Sequence, residues 1–395
     1  MAVLGSLLHP VLRQRLLTLR HDLHQHPELS FKEERTATRL YDELAALGPA
    51  ELARIAGTGV VARIRGADRG APVVAVRGDI DALPIQEETG LGFRSETPGV
   101  MHACGHDVHA AWTVGAAHLL AKRPARGDVL ILLQPGEETG RGAPAVIESG
   151  ALQGAAAIFG AHVDRRFHVG QVVAERGPVA AAADELSIEL QGSGAHGARP
   201  HEGADPIVGA AALVTALQTI VSRQLGPGTP GVVTIGKLRA GTAPNIIPDT
   251  ARLEGTLRSL DPKTRSVLHR EVRRIAEGVA EAHGLEARVS LELGPPPLVN
   301  QSEPVEWARR AVRSILEDDA LVPMGSYNMG AEDFAFYLEE LTGCFLRIGA
   351  REEDGEFIPA HSSRFYAADD SIFIGAAVLA ETARVAADSL AENSA

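Results

Sequence analysis

The sequence predicts an α/β domain with a mostly parallel sheet flanked by helices, interrupted by a complete α+β domain of ferredoxin-like order. Three observations carry this. Residues 73–76, 129–133 and 156–159 are short apolar runs bounded by Gly, Pro or Asp, as suits strands buried on both faces. A helix rich in Ala and Leu, residues 109–122, lies between the first two runs. From about Ala180 the pattern becomes alternating strands and helices in the order β-α-β-β-α-β.

Taken in chain order, residues 7–23 carry apolar side chains at helical spacing with Arg13, Arg15 and Arg20 between them. Such interruption reads as an amphipathic helix, since a signal peptide needs an unbroken apolar stretch. The strands and helix of the first domain follow. In residues 185–191, Leu186, Ile188 and Leu190 share one face of a strand. Residues 206–225 form a helix with Pro206 in its first turn, and 232–238 and 250–258 alternate as strands. Asp261 as N-cap, Pro262 at the first helical position and Gly284 at the end delimit a second helix. Residues 285–293 alternate again. The expected division is therefore 1–181 and 294–395 for the α/β domain and 182–293 for the insert. Gly294-Pro295-Pro296-Pro297 is a stiff return linker. Near the end, 343–348 reads as a buried strand in which Cys344 is a small core residue.

The chain has 395 residues, enough for two domains with substantial cores. Aromatic residues are only 4%, so those cores must be built from Ala, Val, Leu and Ile. The formal net charge of -13 argues against a nucleic-acid backbone or an anionic membrane as partner. Two distant cysteines, Cys104 and Cys344, build neither a disulfide framework nor a four-cysteine zinc site. The most apolar run, 207–221, is short for a bilayer span and contains Thr215, Gln218 and Thr219. A cytoplasmic protein is the default expectation.

Four polar clusters sit in strand-end contexts: Asp79-Ile80-Asp81, Cys104-Gly105-His106-Asp107, Glu137-Glu138 and His162. Sites in open α/β sheets form at the carboxyl ends of the strands, so these clusters can converge. Each alone is ordinary: a loop histidine, a solvated acidic pair, or an Asp-x-Asp turn. Together, imidazole, thiolate and carboxylate suit Zn, Mn, Co or Ni and suit Ca or Mg poorly. The spacing of Cys104 and His106 fits an extended segment pointing two side chains one way, with Gly105 allowing a close backbone path. A thiolate there can bridge two cations. An extended Glu137-Glu138 pair would send one carboxylate to a metal and the other to a water. No Gly-x-Ser-x-Gly elbow is present.

The chain resembles the aminoacylase, hippurate hydrolase and auxin-conjugate amidohydrolase family of metallopeptidases over nearly its whole length. The resemblance rests on Arg77-Gly78-Asp79-Ile80-Asp81-Ala82-Leu83-Pro84-Ile85, on Pro98-Gly99-Val100-Met101-His102-Ala103-Cys104-Gly105-His106-Asp107 and on Gln134-Pro135-Gly136-Glu137-Glu138. It continues through Gly160-Ala161-His162-Val163, Ala195-His196, Pro200-His201, Gly330-Ala331-Glu332-Asp333-Phe334 and His361-Ser362. The insert matches that family's lid domain.

The resemblance implies two divalent metal ions per subunit held by Cys104, His106, Glu138, His162 and His361, with Glu137 as general base. Asp81 would be a carboxylate behind the ligands. Asp79 stands where other branches have a metal-binding histidine and is not expected to be a primary ligand. His196 belongs to the lid, where such a histidine steadies the oxyanion, often in the partner subunit's site. Asn245 and Arg258 would bind the substrate's carboxylate, with Arg199 a weaker choice and a structural salt bridge the plain alternative for Arg258. The implied reaction is hydrolysis of N-acyl or aryl-acyl amino acids by a metal-bridged hydroxide, in a homodimer joined through the lid. The alternatives are a dipeptidase, an N-acetyl-diamino-acid deacetylase, or an inactive metal-containing binding protein. Gly136, Thr139, Arg141, Val108 and Arg199 depart from the family's commonest pattern and bear on substrate choice. His102 and Asp107 have no ligand role.

Overall fold

A computed structural model describes residues 7–327 and 329–393. The chain folds into two compact units: Met1–Gly177 with Asn300–Ser326 and Phe336–Ala395, and Pro178–Val299 with Tyr327–Ala335.

The first unit opens with helices α1 (Pro10–Gln25) and α2 (Glu34–Ala45) and strands β1 (Glu51–Ile55), β2 (Gly59–Ile64) and β3 (Val73–Asp79). Helix α3 (His106–Lys122), β4 (Val129–Gln134), α4 (Gly142–Glu148), β5 (Ala155–His168) and β6 (Val172–Val173) follow. The second unit contributes β7 (Ala182–Gln191), α5 (Pro206–Leu217), β8 (Gly231–Ala240), β9 (Thr250–Ser259), α6 (Pro262–Ala282) and β10 (Glu286–Glu292). The chain then completes the first unit with α7 (Ser302–Ile315), β11 (Thr342–Arg351) and α8 (Asp370–Asn393).

The first unit's sheet has seven strands in the order β1-β2-β4-β3-β5-β11-β6. Its four middle strands are mutually parallel and its margins antiparallel, so the fold class read from the sequence holds. Apolar side chains fill one face beneath the helices: Val74 and Val76 of β3, Phe159 and Ala161 of β5, and Leu346 and Ile348 of β11 meet Leu16, Leu19, Trp112 and Val378. The opposite face of the same strands carries polar groups, including Arg77, Asp79, His162 and Arg347, because strand side chains alternate. That alternation delivers the chemistry to one side of the sheet.

Strand β5 is far longer than the 156–159 its apolar run suggested. Its charged continuation is neutralised locally, with Arg166 Nη2 2.6 Å from Asp164 Oδ2 and Arg165 donating to the carbonyls of Ala350 and Glu356.

In the second unit the antiparallel sheet runs β8-β9-β7-β10, the strand order of a ferredoxin-like fold. Leu186, Ile188 and Leu190 pack against Leu213 and Leu217 of α5 and Leu268 and Val272 of α6. Asp261 caps α6 as its side chain accepts from the Thr264 N–H at 2.9 Å. Helix α5 stops at Leu217 instead of running on to 225; a π turn, Ile220–Gln224, continues the run. Thr219 and Ser222 hydroxyls bond back to the carbonyls of Ala216 and Gln218, competing with the regular ladder.

Candidate metal centre

The polar clusters meet at the carboxyl ends of the parallel strands. Asp79 ends β3, and Asp81 follows it; Glu137 and Glu138 follow β4; His162 lies within β5. Cys104 and His106 straddle the start of α3. The turn between them is not extended: Gly105 has φ 88° and acts as the helix N-cap. A Cβ there would lie 2.5 Å from Val163 Cγ2, so Gly105 is required for both its dihedral and its size.

Glu137 and Glu138 are not extended either. They form a single 3₁₀ turn (Glu137–Thr139) framed by Gly136 at φ 66° and Gly140 at φ 67°, closed by the Thr139 hydroxyl donating to the Gly136 carbonyl at 2.8 Å. Both carboxylates therefore reach the same imidazole: Glu137 Oε2 is 4.0 Å and Glu138 Oε1 3.9 Å from His106 Nε2. Gly136 is also spatially required, since a Cβ would meet the Phe31 ring at 2.5 Å.

Among the described residues, three of the five clusters whose ligand atoms lie within 4.8 Å of one another are Cys104 with His106 and His162, Cys104 with Glu138 and His361, and His106 with Glu137 and Glu138; a fourth is Glu137 with Glu332 and Asp333. Cys104 belongs to two of them. Its Sγ lies 3.2 Å from His162 Nε2, and His361 Nε2 lies 3.4 Å from Glu138 Oε2. His361 is held in a left-handed conformation, φ 66°, by its N–H donating to the Ala103 carbonyl at 2.8 Å. A non-glycine residue in that region stores strain, which concentrates at functional sites.

The donor set fits a cation. His106 Nδ1 faces the Asp81 carbonyl at 2.9 Å and Asp81 Oδ1 at 3.2 Å, which assigns its proton to Nδ1. His162 Nδ1 faces the Val163 carbonyl at 2.6 Å in the same way. With one proton each, both rings present the Nε2 lone pair. His106 Nε2 and Glu138 Oε1 are buried and have no hydrogen-bond partner. Two acceptors facing each other without a proton donor call for a metal ion or a proton.

Electrostatics agree with ligand duty. Burial holds the His162 imidazole well below the usual range, and the Arg347 charge adds to the effect, so the ring is neutral. Burial and the nearby Glu138 charge push the Cys104 thiol up to about 12; with a cation at Sγ the thiolate is the stable form. His106 runs the other way: burial would lower it, but Asp79's charge and the Asp81 hydrogen bond raise it well above the ordinary histidine value, so without a cation Nε2 also holds a proton, which a metal ion would displace.

Asp81, 1% exposed, ties the site together: Oδ2 accepts from the Glu138 N–H at 3.0 Å and the Ser30 hydroxyl at 2.7 Å. Asp79 pairs with Arg77 and His109, and its Oδ2 lies 3.8 Å from His106 Nε2. The cluster Asp79, His106 and His109 also gathers within 4.8 Å, but both His109 nitrogens are engaged, by Asp79 and by the Val163 N–H. His109 escaped the sequence reading because its partners come from β3 and β5. Asp107 finds a structural role there: Arg20 and His24 of α1 each lie 2.8 Å from its Oδ2.

In the second unit, His196 lies in a short strand, Ala195–His196, paired with Ile246–Ile247. It lines an open cleft of about 860 Å³ with Asn245, Arg239 and Arg252. His196 Nδ1 accepts from the Ala198 N–H at 3.1 Å, so Nε2 carries the proton. Arg258 does not line this cleft. It stands half-buried on β9 opposite Ala183 and Val232, with no salt bridge to any described residue. Arg199 pairs at the surface with Glu202 at 3.4 Å.

Comparison with known proteins bears on this geometry. The chain is 40% identical to the N-acetyl-L-cysteine deacetylase of Bacillus subtilis over 384 residues, covering 97% of this chain and 90% of that one. It is 37% identical to thermostable carboxypeptidase 1 of Saccharolobus solfataricus, covering 91% and 92%. A Bacillus subtilis crystal structure described as a dinuclear metal-binding M20 peptidase superposes with a TM-score of 0.85 at 34% identity, covering 96% of this chain and 99% of the other. Residues 75–385 match the family described as peptidase family M20/M25/M40. This chain is a metal-dependent hydrolase and belongs to that family.

Proposed function

We propose that the protein hydrolyses the amide bond of N-acyl or aryl-acyl amino acids, with two divalent ions (Zn, Mn, Ni or Co) held by Cys104, His106, Glu138, His162 and His361. The observation that carries this is Cys104 shared between two ligand clusters, with the Glu137 carboxylate 4.0 Å from His106 Nε2. The deacetylase and carboxypeptidase relatives support an amide substrate bearing a carboxylate. When bound, the ions supply Lewis acidity, which lowers the pKa of a water and polarises a carbonyl.

Glu137 then takes the water's proton on a carboxylate oxygen and returns it to the departing amine nitrogen. Asp81 holds His106 and the Glu138 backbone in place while this occurs. His196 donates from Nε2 to the oxyanion, as the family resemblance supports. Asn245, beside His196 in the cleft, and Arg258 orient the substrate. In this reading residues 182–293 act as a lid and join a homodimer. Exposed Ile207, Val208 and Val221 on the α5 run and the unpaired edge of β8 support such an interface.

The test is metal analysis of the purified protein with a side-by-side assay of hippurate, N-acetyl amino acids, dipeptides and N-acetyl-diamino acids. Turnover of the acylated monoamino acids with two ions per chain is expected. Preference for dipeptides or diamino acids would move the assignment to the neighbouring specificities. A metal-loaded protein that cleaves none of the panel would make it a binding protein.

A further inference from the structure

Arg347 is a largely buried cation with no hydrogen-bond or ion-pair partner among the described residues. It lies on β11 at 6% exposure, opposite His162 of β5 and Val173 of β6 in the strand register. Residues opposite one another in register project from the same sheet face. Arg347 therefore stands beside His162, while Leu346 and Ile348 point into the apolar core. Its Nε is buried without a hydrogen bond, and no hydrogen bond or ion pair joins its guanidinium to any described residue. Its guanidinium stacks near the Phe345 ring, 5.6 Å from Cζ to the centroid.

The other buried arginines each have acceptors for their guanidinium groups, although Arg165 Nε is also unpartnered. Arg20 meets Asp107 and Asp369; Arg77 meets Asp79 and Gln134. Arg165 donates to three carbonyls, and Arg384 to the carbonyls of Leu119 and Arg123. Arg347 is the exception. A guanidinium cannot shed its charge, and burying one uncompensated is costly. A fold that keeps such a group next to a candidate metal ligand has placed a positive charge where an anion would relieve it. The fork of a guanidinium matches a carboxylate with two parallel hydrogen bonds.

We propose that Arg347 is a carboxylate subsite of the hydrolytic centre, receiving the free carboxylate of the amide substrate or of its acid product beside His162. This rests on the amidohydrolase reading above. It places one anion-recognising group in the first unit itself, in addition to Asn245 and Arg258 of the second.

The test is calorimetric binding of hippurate, hippuramide and benzoate to the metal-loaded Glu137→Gln protein, which holds substrate without turnover, with and without Arg347→Met. Hippurate should bind at least about tenfold more weakly to the double variant, and hippuramide equally well to both, because only the charged fork is lost. Parallel weakening of benzoate would assign the subsite to the acid product as well; unchanged benzoate would restrict it to the amino-acid carboxylate. Metal content should stay full and Tm should not fall, since an unpaired buried charge has been removed. Equal weakening of hippurate and hippuramide, unchanged hippurate binding, or a lower Tm with lost metal would overturn the proposal. If Arg347→Met does not fold, Arg347→Lys decides: it should lower the preference for hippurate over hippuramide, and an unchanged preference rejects the subsite. A wild-type protein that hydrolyses nothing yet binds carboxylates through Arg347 would sink the amidohydrolase reading and leave the subsite standing.

Discussion

His109 links Asp79 to the backbone beside His162: its Nδ1 lies 2.6 Å from Asp79 Oδ1, and its Nε2 accepts from the Val163 N–H at 2.9 Å. A backbone N–H can only donate, so the ring proton belongs on Nδ1 and points at the carboxylate. Burial disfavours the charged ring and outweighs the attraction of Asp79, so this histidine is neutral. It braces two strands of the sheet at the depth of the candidate ligands.

Replacing His109 with Ala should therefore cost about 2–4 kcal/mol, because a buried N–H and a buried carboxylate both lose a partner. The same change should weaken metal binding about 10–100-fold, as losses behind metal ligands do. Urea unfolding of the metal-free protein and competitive metal titration measure the two effects separately. Wild-type values in both would show that His109 braces nothing.

Glu137→Gln should keep the metals and lose about 10²–10⁴ in kcat, the usual worth of a general base. The amide matches the carboxylate in shape, so the 3₁₀ turn should survive. Near-normal kcat in a fully loaded variant would remove Glu137 from the mechanism.

His196→Ala should lower kcat by about 10²–10³, the usual loss for one oxyanion donor, with metal content unchanged. His196 shares no cluster with the candidate ligands. Loss of bound metal in this variant would contradict a role confined to the reacting oxygen.

Asp184 offers a pH test away from the metal centre. Burial alone would raise its pKa, but hydrogen bonds from Arg265 Nε at 2.9 Å and His269 Nε2 at 2.6 Å bring it below 3.8. A depressed folded-state pKa stabilises the protein above the unfolded value, and that contribution disappears as pH falls through the folded value. Asp184→Asn should thus cost about 2 kcal/mol near neutrality, in line with hydrogen bonds to a charged group. The Tm gap between wild type and variant should stay level above about pH 5 and close below about pH 4. A gap that widens on acidification would refute the assignment.

Much of this architecture was legible in the sequence, for local reasons. Asp261, Pro262 and Gly284 marked α6, and the alternation of Leu186, Ile188 and Leu190 marked the inner face of β7. The clusters from Asp79 to His162 were legible as a set because several unusual residue types recur at strand ends, while His361 entered only through the family resemblance. What escaped depends on pairing across the sheet. His109 and Arg347 each look ordinary in sequence, and their surroundings are set by strands 30 or more residues away in the chain. The Glu137-Glu138 geometry escaped because Gly136 and Gly140 turn the backbone through positive φ, where an extended path had been expected.

Both cysteines are deep in the first unit, with thiols whose acidity burial has suppressed. Oxidants and alkylating agents attack the thiolate, not the thiol. In the proposed centre, stripping the ions would therefore leave Cys104 as a thiol and not as a nucleophile. The metal-free protein should withstand air and peroxide with Cys104 intact, ready to take up ions again without a reductant.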